Sequence, residues 1–173
     1  MTEHSNAGRA FVFGDNIDTD ALAPGLYMKG PVEELARHCL EAVDPAFAAE
    51  VVAGDVVVGG RNFGMGSSRE QAAQALRILG VGAVVAQSFS GIFYRNALNL
   101  GLLVVVCPSI AAVKRGDRLV VDATAGTVMN ETRNESYVCE PLPNHLMSMI
   151  EDGGLVPHLE KRFAAQRKKG SNA

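Results

Sequence analysis

The fold is decided by a stretch near the middle of the chain, residues 56–86, which reads VVVGGRNFGMGSSREQAAQALRILGVGAVVA. It begins with Val56–Val58, a short apolar run typical of a buried strand, which Gly59-Gly60 ends. A helix closed by Gly80 is predicted next, because apolar residues recur at i, i+3, i+4 and i+7, namely Ala72, Ala75, Leu76 and Leu79. Val81–Ala86 is a second apolar run. The stretch therefore predicts a strand, a helix and a strand in succession.

The same alternation continues on both sides of this stretch. Ala10–Phe13 is predicted to be a strand that ends in a turn, Ser90–Leu100 a helix, and Leu102–Cys107 a strand ended by Pro108. Strands that alternate with helices favour parallel βαβ units with right-handed crossovers. After Pro108 the pattern changes to two strands joined by a tight turn and a last helix, in segments 118–122, 126–128 and 142–150. The fold class predicted from these patterns is α/β.

One domain accounts for the length of the chain. The 173 residues fall within the range of about 50 to 250 residues that single domains span, and no long linker or internal repeat divides them. The predicted domain covers residues 1–160, and residues 161–173 are predicted to be a basic, flexible and solvated tail. The net charge of −3 provides no basic surface for nucleic acid, so nucleic-acid binding is not expected.

The cysteines and the apolar runs bear on the location of the chain. Cys39, Cys107 and Cys139 stand far apart and form no C-x-x-C pair, so their spacing predicts neither a disulfide framework nor a metal site. No apolar run approaches the roughly 18 residues of a membrane-spanning helix. We therefore predict a cytoplasmic chain with reduced thiols and no membrane contact.

The segment Gly64–Leu79, GMGSSREQAAQALRIL, sets two serines and an arginine at the predicted start of a helix. One interpretation is structural, because Ser67 and Ser68 each have a Glu or Gln three residues later, as in the capping box, which stabilises a helix by about 1 kcal/mol. Arg69 argues against this interpretation, because a cation in the first turn is unfavourable beside the positive end of the helix dipole. An anion bound there would remove that penalty.

Phosphate and carboxylate are the two candidate anions. The Walker and dinucleotide patterns require a lysine or a third glycine that the segment lacks, which disfavours a nucleotide. A carboxylate suits backbone N–H groups and a forked guanidinium, and a serine beside it could take a proton from the neighbouring carbon if its deprotonated form were stabilised. A hydrolytic serine is disfavoured, because no G-x-S-x-G motif exists and the histidines have the contexts of surface or helix residues, namely His4, His38, His145 and His158. The cap and the carboxylate site both remain open on these grounds.

Three segments resemble a known family. GDNIDTD at residues 14–20, NFGMGSSREQA at 62–72 and SFSGIFYRNALNLGL at 88–102 resemble the small subunits of 3-isopropylmalate dehydratase and its close relatives, and EDGGLVPHL at 151–159 extends the similarity over nearly the whole chain. For residues 1–160 the resemblance implies the swivelling β/β/α domain of the aconitase superfamily, an α/β fold. It also implies the removal and re-addition of water on a hydroxy di- or tricarboxylic acid.

The resemblance assigns roles to the residues of two motifs. In this family the first serine of the SSR triplet is the catalytic base, which maps to Ser67, while the second serine and the arginine bind a substrate carboxylate and map to Ser68 and Arg69. The aspartate that closes the TD pair is a catalytic-site residue and maps to Asp20. Thr19 is expected to shape the turn that presents Asp20.

A partner and a cofactor are implied as well. The family activates the leaving hydroxyl group with a [4Fe-4S] cluster that acts as a Lewis acid and is held by three cysteines of a separate large subunit. Nothing in the cysteine spacing of this chain resembles cluster ligation. We therefore expect no metal on this chain, a large subunit as its partner, and no activity without that partner.

The segment 26–30 corresponds to the loop that sorts substrates in this family, and it precedes a helix predicted after Pro31. Tyr27, Met28 and Lys29 are therefore candidate substrate-binding residues. Tyr27 and Met28 suit the branched apolar group of isopropylmalate, whereas Lys29 suits the additional carboxylate of homoaconitate.

The chain departs from the family at two positions of the second segment, Met65 and Gln71. Relatives often have Cys at the position of Met65 and His at that of Gln71, so no thiol is available at residue 65. Asn62 and Asn96 are candidate support residues.

The resemblance favours the interconversion of 2- and 3-isopropylmalate in leucine biosynthesis. The alternatives are the same chemistry on homoaconitate or dimethylmalate, and a non-catalytic module that only caps a partner. The intact triplet at residues 67–69 argues against the last.

Overall fold

A computed structural model of the chain describes residues 5–170. Within this range seven strands form one sheet in the order β4-β3-β2-β1-β5-β6-β7. The strands are β1 (Ser5–Val12), β2 (Val56–Gly59), β3 (Ala83–Ala86), β4 (Val104–Val106), β5 (Arg118–Asp122), β6 (Thr127–Asn130) and β7 (Glu135–Val138). The predicted α/β architecture, with parallel βαβ units followed by antiparallel strands, is confirmed.

Helices connect or flank these strands. Between β1 and β2 lie three short helices, α1 (Thr19–Leu22), α2 (Val32–Ala36) and α3 (Phe47–Glu50), and a 3₁₀ turn at Gly25–Tyr27. The crossovers between β2, β3 and β4 are α4 (Gln71–Ile78) and α5 (Gly91–Asn99), as predicted. A second 3₁₀ turn, Ile110–Ala112, precedes β5, and α6 (Asn144–Glu151) and α7 (Leu155–Gly170) follow β7.

Strand β1 joins the parallel and antiparallel halves of the sheet. Its first half, residues 5–9, pairs antiparallel with β5. Its second half, residues 10–12, pairs parallel with β2, which pairs parallel with β3, as β3 does with β4. The ends of β1 and β2 therefore point to the same edge of the sheet.

Both faces of the parallel half are buried. Val57 and Val84 pack with α1, α2, α4 and α5 in one apolar cluster, whereas Val56, Val58 and Val85 belong to a second cluster with residues of β5, β6, β7 and α6. Successive residues of a strand face opposite sides, so coverage of both sides requires continuous apolar runs. This explains the valine-rich strands of the sequence.

The C-terminal region contains two elements that the sequence patterns do not predict, β7 and α7. Helix α7 runs across residue 160, the predicted limit of the domain, and residues 161–170 are exposed. It is tied to the end of α6 because Asp152 accepts hydrogen bonds from His158 at 2.7 Å and from Lys161 at 2.6 Å. The division at residue 160 and the flexible tail stay predictions; residues 1–4, which include His4, and 171–173 lie outside the described residues. Among the helices of residues 5–170, none is long and apolar enough to cross a membrane.

Candidate active site

The candidate site lies where the segments that follow β1 and β2 meet. Because these strands are parallel, both segments leave the sheet at the same edge. The first leads into α1, and the second, residues 60–70, is called here the Ser67 loop. Asp18 and Met65 form a short parallel backbone bridge, and the Thr19 N–H donates to the Met65 carbonyl at 2.9 Å. The backbone therefore brings α1 beside the two serines.

Two pairs of polar residues connect the segments. The Asn62 amide donates to Asn16 Oδ1 at 3.0 Å, and both asparagines have the left-handed backbone, with φ of 58° and 59°, that asparagine tolerates better than most residues. The Arg61 N–H donates to Asp15 Oδ1 at 2.7 Å. This bond and then the Arg61 side chain hold the pKa of Asp15 below its ordinary value. Both pairs stabilise the base of the Ser67 loop.

Two glycines allow the Ser67 loop to pack closely against its neighbours. Gly64 has a φ of +81°, and a Cβ there would lie 2.2 Å from Phe93 Cγ on α5. Gly66 has a φ of +113°, and a Cβ there would lie 2.9 Å from Thr19 Oγ1 on α1. Only glycine combines these backbone angles with such close approach. The glycines of the GMG motif are therefore explained by packing against two helices.

The capping-box interpretation of the two serines is wrong. Helix α4 begins at Gln71, its N-cap is Glu70, and no side chain makes a capping hydrogen bond there. Ser67 and Ser68 precede the N-cap, and Arg69 also lies before the first turn. The contacts of these three residues are made elsewhere, chiefly with α1.

Ser67 is held by Thr19, the first residue of α1. The Ser67 N–H donates to Thr19 Oγ1 at 3.0 Å, and the two hydroxyl oxygens lie 3.1 Å apart. Thr19 is 3% exposed, whereas Ser67 is exposed. A buried hydroxyl group thus holds a serine that solvent or a substrate can reach.

Arg69 is anchored at both ends of α1. Its Nη1 donates to Asp20 Oδ1 and, at 2.9 Å, to the carbonyl of Ala23, the residue after α1. The side chain of Asp20 is 71% exposed and that of Arg69 is 24% exposed. Among residues 5–170, none accepts a hydrogen bond from Arg69 Nε or Nη2. Three N–H bonds of the guanidinium are consequently available to an anion.

Ser68 is fixed through its backbone. Asn96 Nδ2, on α5, donates to the Ser68 carbonyl at 3.2 Å, and the Ser68 side chain is exposed. The three residues of the triplet are thus supported by two helices. Both candidate support residues make contacts near the triplet. Asn62 contacts Asn16 in the segment that leads into α1, and Asn96 contacts Ser68 in the Ser67 loop.

The segment of residues 24–31, called here the Lys29 loop, follows α1 directly. Its Tyr27 ring stacks on the His38 imidazole, with ring centres 3.6 Å apart and planes at 6°. His38 lies between two carboxylates, with Nδ1 2.6 Å from Glu41 and Nε2 3.4 Å from Glu34. The hydrogen bond with Glu41 is the main cause of the raised pKa of His38. Desolvation, and then Glu41, raise the pKa of Tyr27.

Met28 and Lys29 differ in their surroundings. Met28 is half-buried and packs against the apolar cluster of α1 and α2. Lys29 is exposed and makes no hydrogen bond or ion pair within the described residues. The predicted site residues therefore form two groups. Ser67, Arg69 and Asp20 meet at α1, whereas Tyr27 stacks on His38 and Met28 packs against the apolar cluster.

Within residues 5–170, the donor residues do not fit an iron–sulfur cluster. Cys39, Cys107 and Cys139 are all buried free thiols, and burial raises the pKa of Cys39, which disfavours its thiolate. In the part of the chain that the structure describes, no group of three His, Cys, Asp or Glu side chains could hold a metal ion.

Two residues have contacts that the sequence patterns did not predict. Thr19 was expected only to shape a turn, but it contacts Ser67 across 48 positions of sequence. His38 was interpreted as a surface or helix residue, but it supports the Lys29 loop. The spacing Glu34, His38, Glu41, at i−4 and i+3, was the available signal for His38. Thr19 had no local signal.

Comparisons with known proteins identify the family of the chain. Residues 35–109 match the aconitase C-terminal domain. The chain is 46% identical over 157 residues to the 3-isopropylmalate dehydratase small subunit of Moorella thermoacetica, covering 90% of this chain and 95% of that protein. It is also 46% identical to the methanogen homoaconitase small subunit of Methanothermobacter thermautotrophicus, covering 89% of this chain and 90% of that protein.

A solved structure gives the same result for the fold. The crystal structure of 3-isopropylmalate dehydratase from Methanocaldococcus jannaschii superposes with a TM-score of 0.89 at 42% identity, covering 95% of this chain and 99% of that one. The predicted aconitase-type fold is confirmed by this likeness. The chain therefore belongs to the family of 3-isopropylmalate dehydratase small subunits, within the aconitase superfamily.

Proposed function

We propose that this chain, with a large subunit, interconverts 2- and 3-isopropylmalate by dehydration and rehydration, a step of leucine biosynthesis. The observation that carries the proposal is the meeting of Ser67, Arg69 and Asp20 at α1. The names of the similar dehydratase subunits support the substrate. In this proposal Ser67 is the base, Ser68 and Arg69 bind a carboxylate, and Asp20 is the carboxylate that orients Arg69.

The anchoring of Arg69 suits a carboxylate ligand. Because Asp20 and the Ala23 carbonyl occupy Nη1, the guanidinium is fixed before substrate arrives. Nε and Nη2 lie side by side, so they can bind the two oxygens of one carboxylate in a bidentate pair. A guanidinium held in this way loses little side-chain entropy on binding, which favours a small acid.

Ser67 lies two residues before Arg69 and is exposed, and both residues contact the segment of α1. In this proposal a carboxylate bound by Arg69 has its neighbouring carbon at Ser67 Oγ. In dehydration the deprotonated Ser67 oxygen takes the proton of that carbon, and the electron pair of the broken C–H bond forms the double bond as hydroxide leaves the adjacent carbon. In rehydration the hydroxyl group adds to the carbon that lost the proton. The proton returns from Ser67 to the carbon that lost the hydroxyl group.

The departure of hydroxide needs a Lewis acid, and residues 5–170 contain no group of three donor side chains that could hold a metal ion. We propose that it is the [4Fe-4S] cluster of a large subunit. The designation of the similar proteins as small subunits supports such a partner. The exposed position of Ser67, Ser68 and Asp20 supports a site completed by a second chain.

A homoaconitase is the second candidate function. The similarity to the methanogen homoaconitase small subunit equals that to the Moorella dehydratase subunit, at 46% identity. Lys29 also offers a cation that a third carboxylate would attract. Two observations argue against the homoaconitase function. Lys29 is exposed, and Tyr27 and Met28 present apolar surface in the same loop.

The test is anaerobic reconstitution of this chain with a cluster-loaded large subunit of the family. We expect turnover of isopropylmalate by the mixture and none by this chain or the large subunit alone, because each supplies half of the site. Turnover by this chain alone would contradict the division of roles. A mixture that associates but hydrates only homoaconitate would establish the second candidate instead.

A further inference from the structure

The hydroxyl group of Thr19 contacts Ser67, and its role as inferred here rests on the proposed role of Ser67 as the base. Thr19 is 3% exposed, and its backbone N–H is already used in a bond to the Met65 carbonyl. Its side-chain oxygen is close to two atoms of Ser67, the backbone nitrogen at 3.0 Å and Oγ at 3.1 Å. Gly66, without a Cβ, leaves the space for this approach.

The hydrogen-bonding capacity of a hydroxyl group decides the direction of the second bond. A hydroxyl has one hydrogen to donate and two lone pairs to accept with. Thr19 Oγ1 accepts the Ser67 N–H, so one lone pair is used. Within residues 5–170, Ser67 Oγ is the other hydrogen-bond partner of Thr19 Oγ1. If Ser67 donated, Thr19 would accept twice and its own hydrogen would be buried without a partner, which native structures avoid.

We propose that Thr19 donates its hydroxyl hydrogen to Ser67 Oγ, and that it thereby positions the base and stabilises its deprotonated form. A hydrogen bond to an ionised oxygen is shorter and stronger than one to a neutral oxygen. The Thr19 bond therefore strengthens when Ser67 loses its proton and weakens when Ser67 takes the substrate proton. Thr19 does not contact the substrate in this proposal, so it is a positioning residue.

The experiment uses three variants of this chain in the reconstituted enzyme. Thr19→Val removes the hydroxyl group at nearly constant shape, and Thr19→Ser keeps it. Thr124→Val is the matched control, because Thr124 Oγ1 is buried and has no hydrogen-bond partner among the described residues. Circular dichroism and binding to the large subunit report whether each variant folds and associates.

For Thr19→Val we expect a fall in kcat of about 10²-fold, the loss typical of one donor to an anionic oxygen. We expect KM to change by less than about threefold, because Thr19 does not contribute to binding of the substrate in its ground state. We expect Thr19→Ser to recover most of kcat and Thr124→Val to keep all of it. The rise of kcat with pH should move to higher pH in Thr19→Val, because a base that loses a donor binds its proton more tightly.

Two outcomes would overturn the inference. One is Thr19→Val with the kcat and pH profile of the unmodified enzyme. The other is a lower kcat that Thr19→Ser does not recover. If Thr19→Val does not associate with the large subunit, Thr19→Cys replaces it, since a thiol is a weak donor, and we expect kcat of Thr19→Cys to be below that of Thr19→Ser. Failure of the proposed role of Ser67 is distinguishable from failure of the inference on Thr19. If Ser67 is not the base, Ser67→Ala keeps the kcat of the unmodified enzyme, whatever the kcat of the Thr19 variants.

Discussion

The Ser67 loop and the Lys29 loop both adjoin the single short helix α1, but they are held by different kinds of contact. The Ser67 loop donates hydrogen bonds to the buried Thr19 hydroxyl of α1 and to the carbonyl of Ala23 at the end of α1, and it approaches α1 closely at Gly66. The Lys29 loop depends mainly on the stack of Tyr27 on His38 and on Met28. Its Leu26 is 83% exposed.

This difference separates the proposed chemistry from the proposed selectivity. Proton transfer requires atoms held within a fraction of an ångström, and buried hydrogen bonds with glycine-dependent packing supply that order. A loop held mainly by one stack and one half-buried methionine can change at its exposed positions without disturbing the sheet or the Ser67 loop. The same scaffold can thus serve acids with different side groups, which agrees with the equal similarity to dehydratase and homoaconitase subunits.

The largest effect is expected for Ser67→Ala in the tightly held loop. We expect kcat of the reconstituted enzyme to fall by about 10² to 10⁴, the range for loss of a general base. The fold and the association with the large subunit should be retained, because the Ser67 side chain is exposed and caps no helix. Steady-state kinetics and thermal unfolding of the same preparations measure both.

Ser88→Ala provides a serine control, since the Asn62 N–H at the base of the loop is the one group among residues 5–170 that the Ser88 hydroxyl contacts by a hydrogen bond. It should lower the unfolding temperature slightly and retain most of kcat. The comparison between the loops fails if Ser67→Ala unfolds the chain while the remaining folded fraction turns over normally. In that case Ser67 would be structural.

The fold could be predicted where one segment carries its own signal. The parallel half and the β5–β6 pair have apolar runs, helical spacing and glycine stops, and these elements were predicted. Strand β7, with the sequence ESYV, exposes every residue except Tyr137, so it shows no apolar pattern. Helix α7 has no buried residue, so apolar periodicity could not indicate it either.

The site could be predicted only in part, for a related reason. The triplet and Asp20 came from motifs that resemble a family, and local physics left the cap and the carboxylate site undecided. The choice depends on where α4 begins and on the Thr19–Ser67 contact, which joins residues 48 positions apart. Such contacts follow from the pairing of β1 with β2, which a local pattern does not contain.

A smaller effect is expected in the loosely held loop, for Lys29→Leu. Lys29 is exposed and has no ionic partner in the described range, so its ammonium is expected to be solvated. The unmodified enzyme should prefer isopropylmalate, and the ratio of kcat/KM for isopropylmalate and homoaconitate should change by less than about threefold. Both values are measured with the reconstituted enzyme.

Lys114→Leu is the matched control, because Lys114 is an exposed lysine of the loop before β5. It should leave both kcat/KM values unchanged. A fall of tenfold or more in homoaconitate turnover for Lys29→Leu alone, about 1.4 kcal/mol of transition-state binding, would assign Lys29 to the third carboxylate. The second candidate function would then be preferred.

The smallest effect is expected from pH, acting on the stack that holds the Lys29 loop. Glu41 and Glu34 raise the pKa of His38 above its ordinary value of 6.5, so folding favours the protonated imidazole. The contribution of His38 to loop stability is therefore complete below the unfolded pKa, and it is lost as pH rises through the raised folded pKa. Over that interval we expect faster amide hydrogen exchange in residues 25–30 and unchanged exchange in the Ser67 loop.

The measurement is an NMR titration of the His38 ring together with hydrogen exchange corrected for the intrinsic effect of pH. His38→Phe keeps an aromatic ring against Tyr27 but removes the charge, so its Lys29 loop should show no pH-dependent step. A His38 midpoint at or below 6.5 would contradict the role of the two glutamates. If the Ser67 loop loosened over the same interval, the two loops would share one support, and the proposed separation of chemistry from selectivity would be wrong.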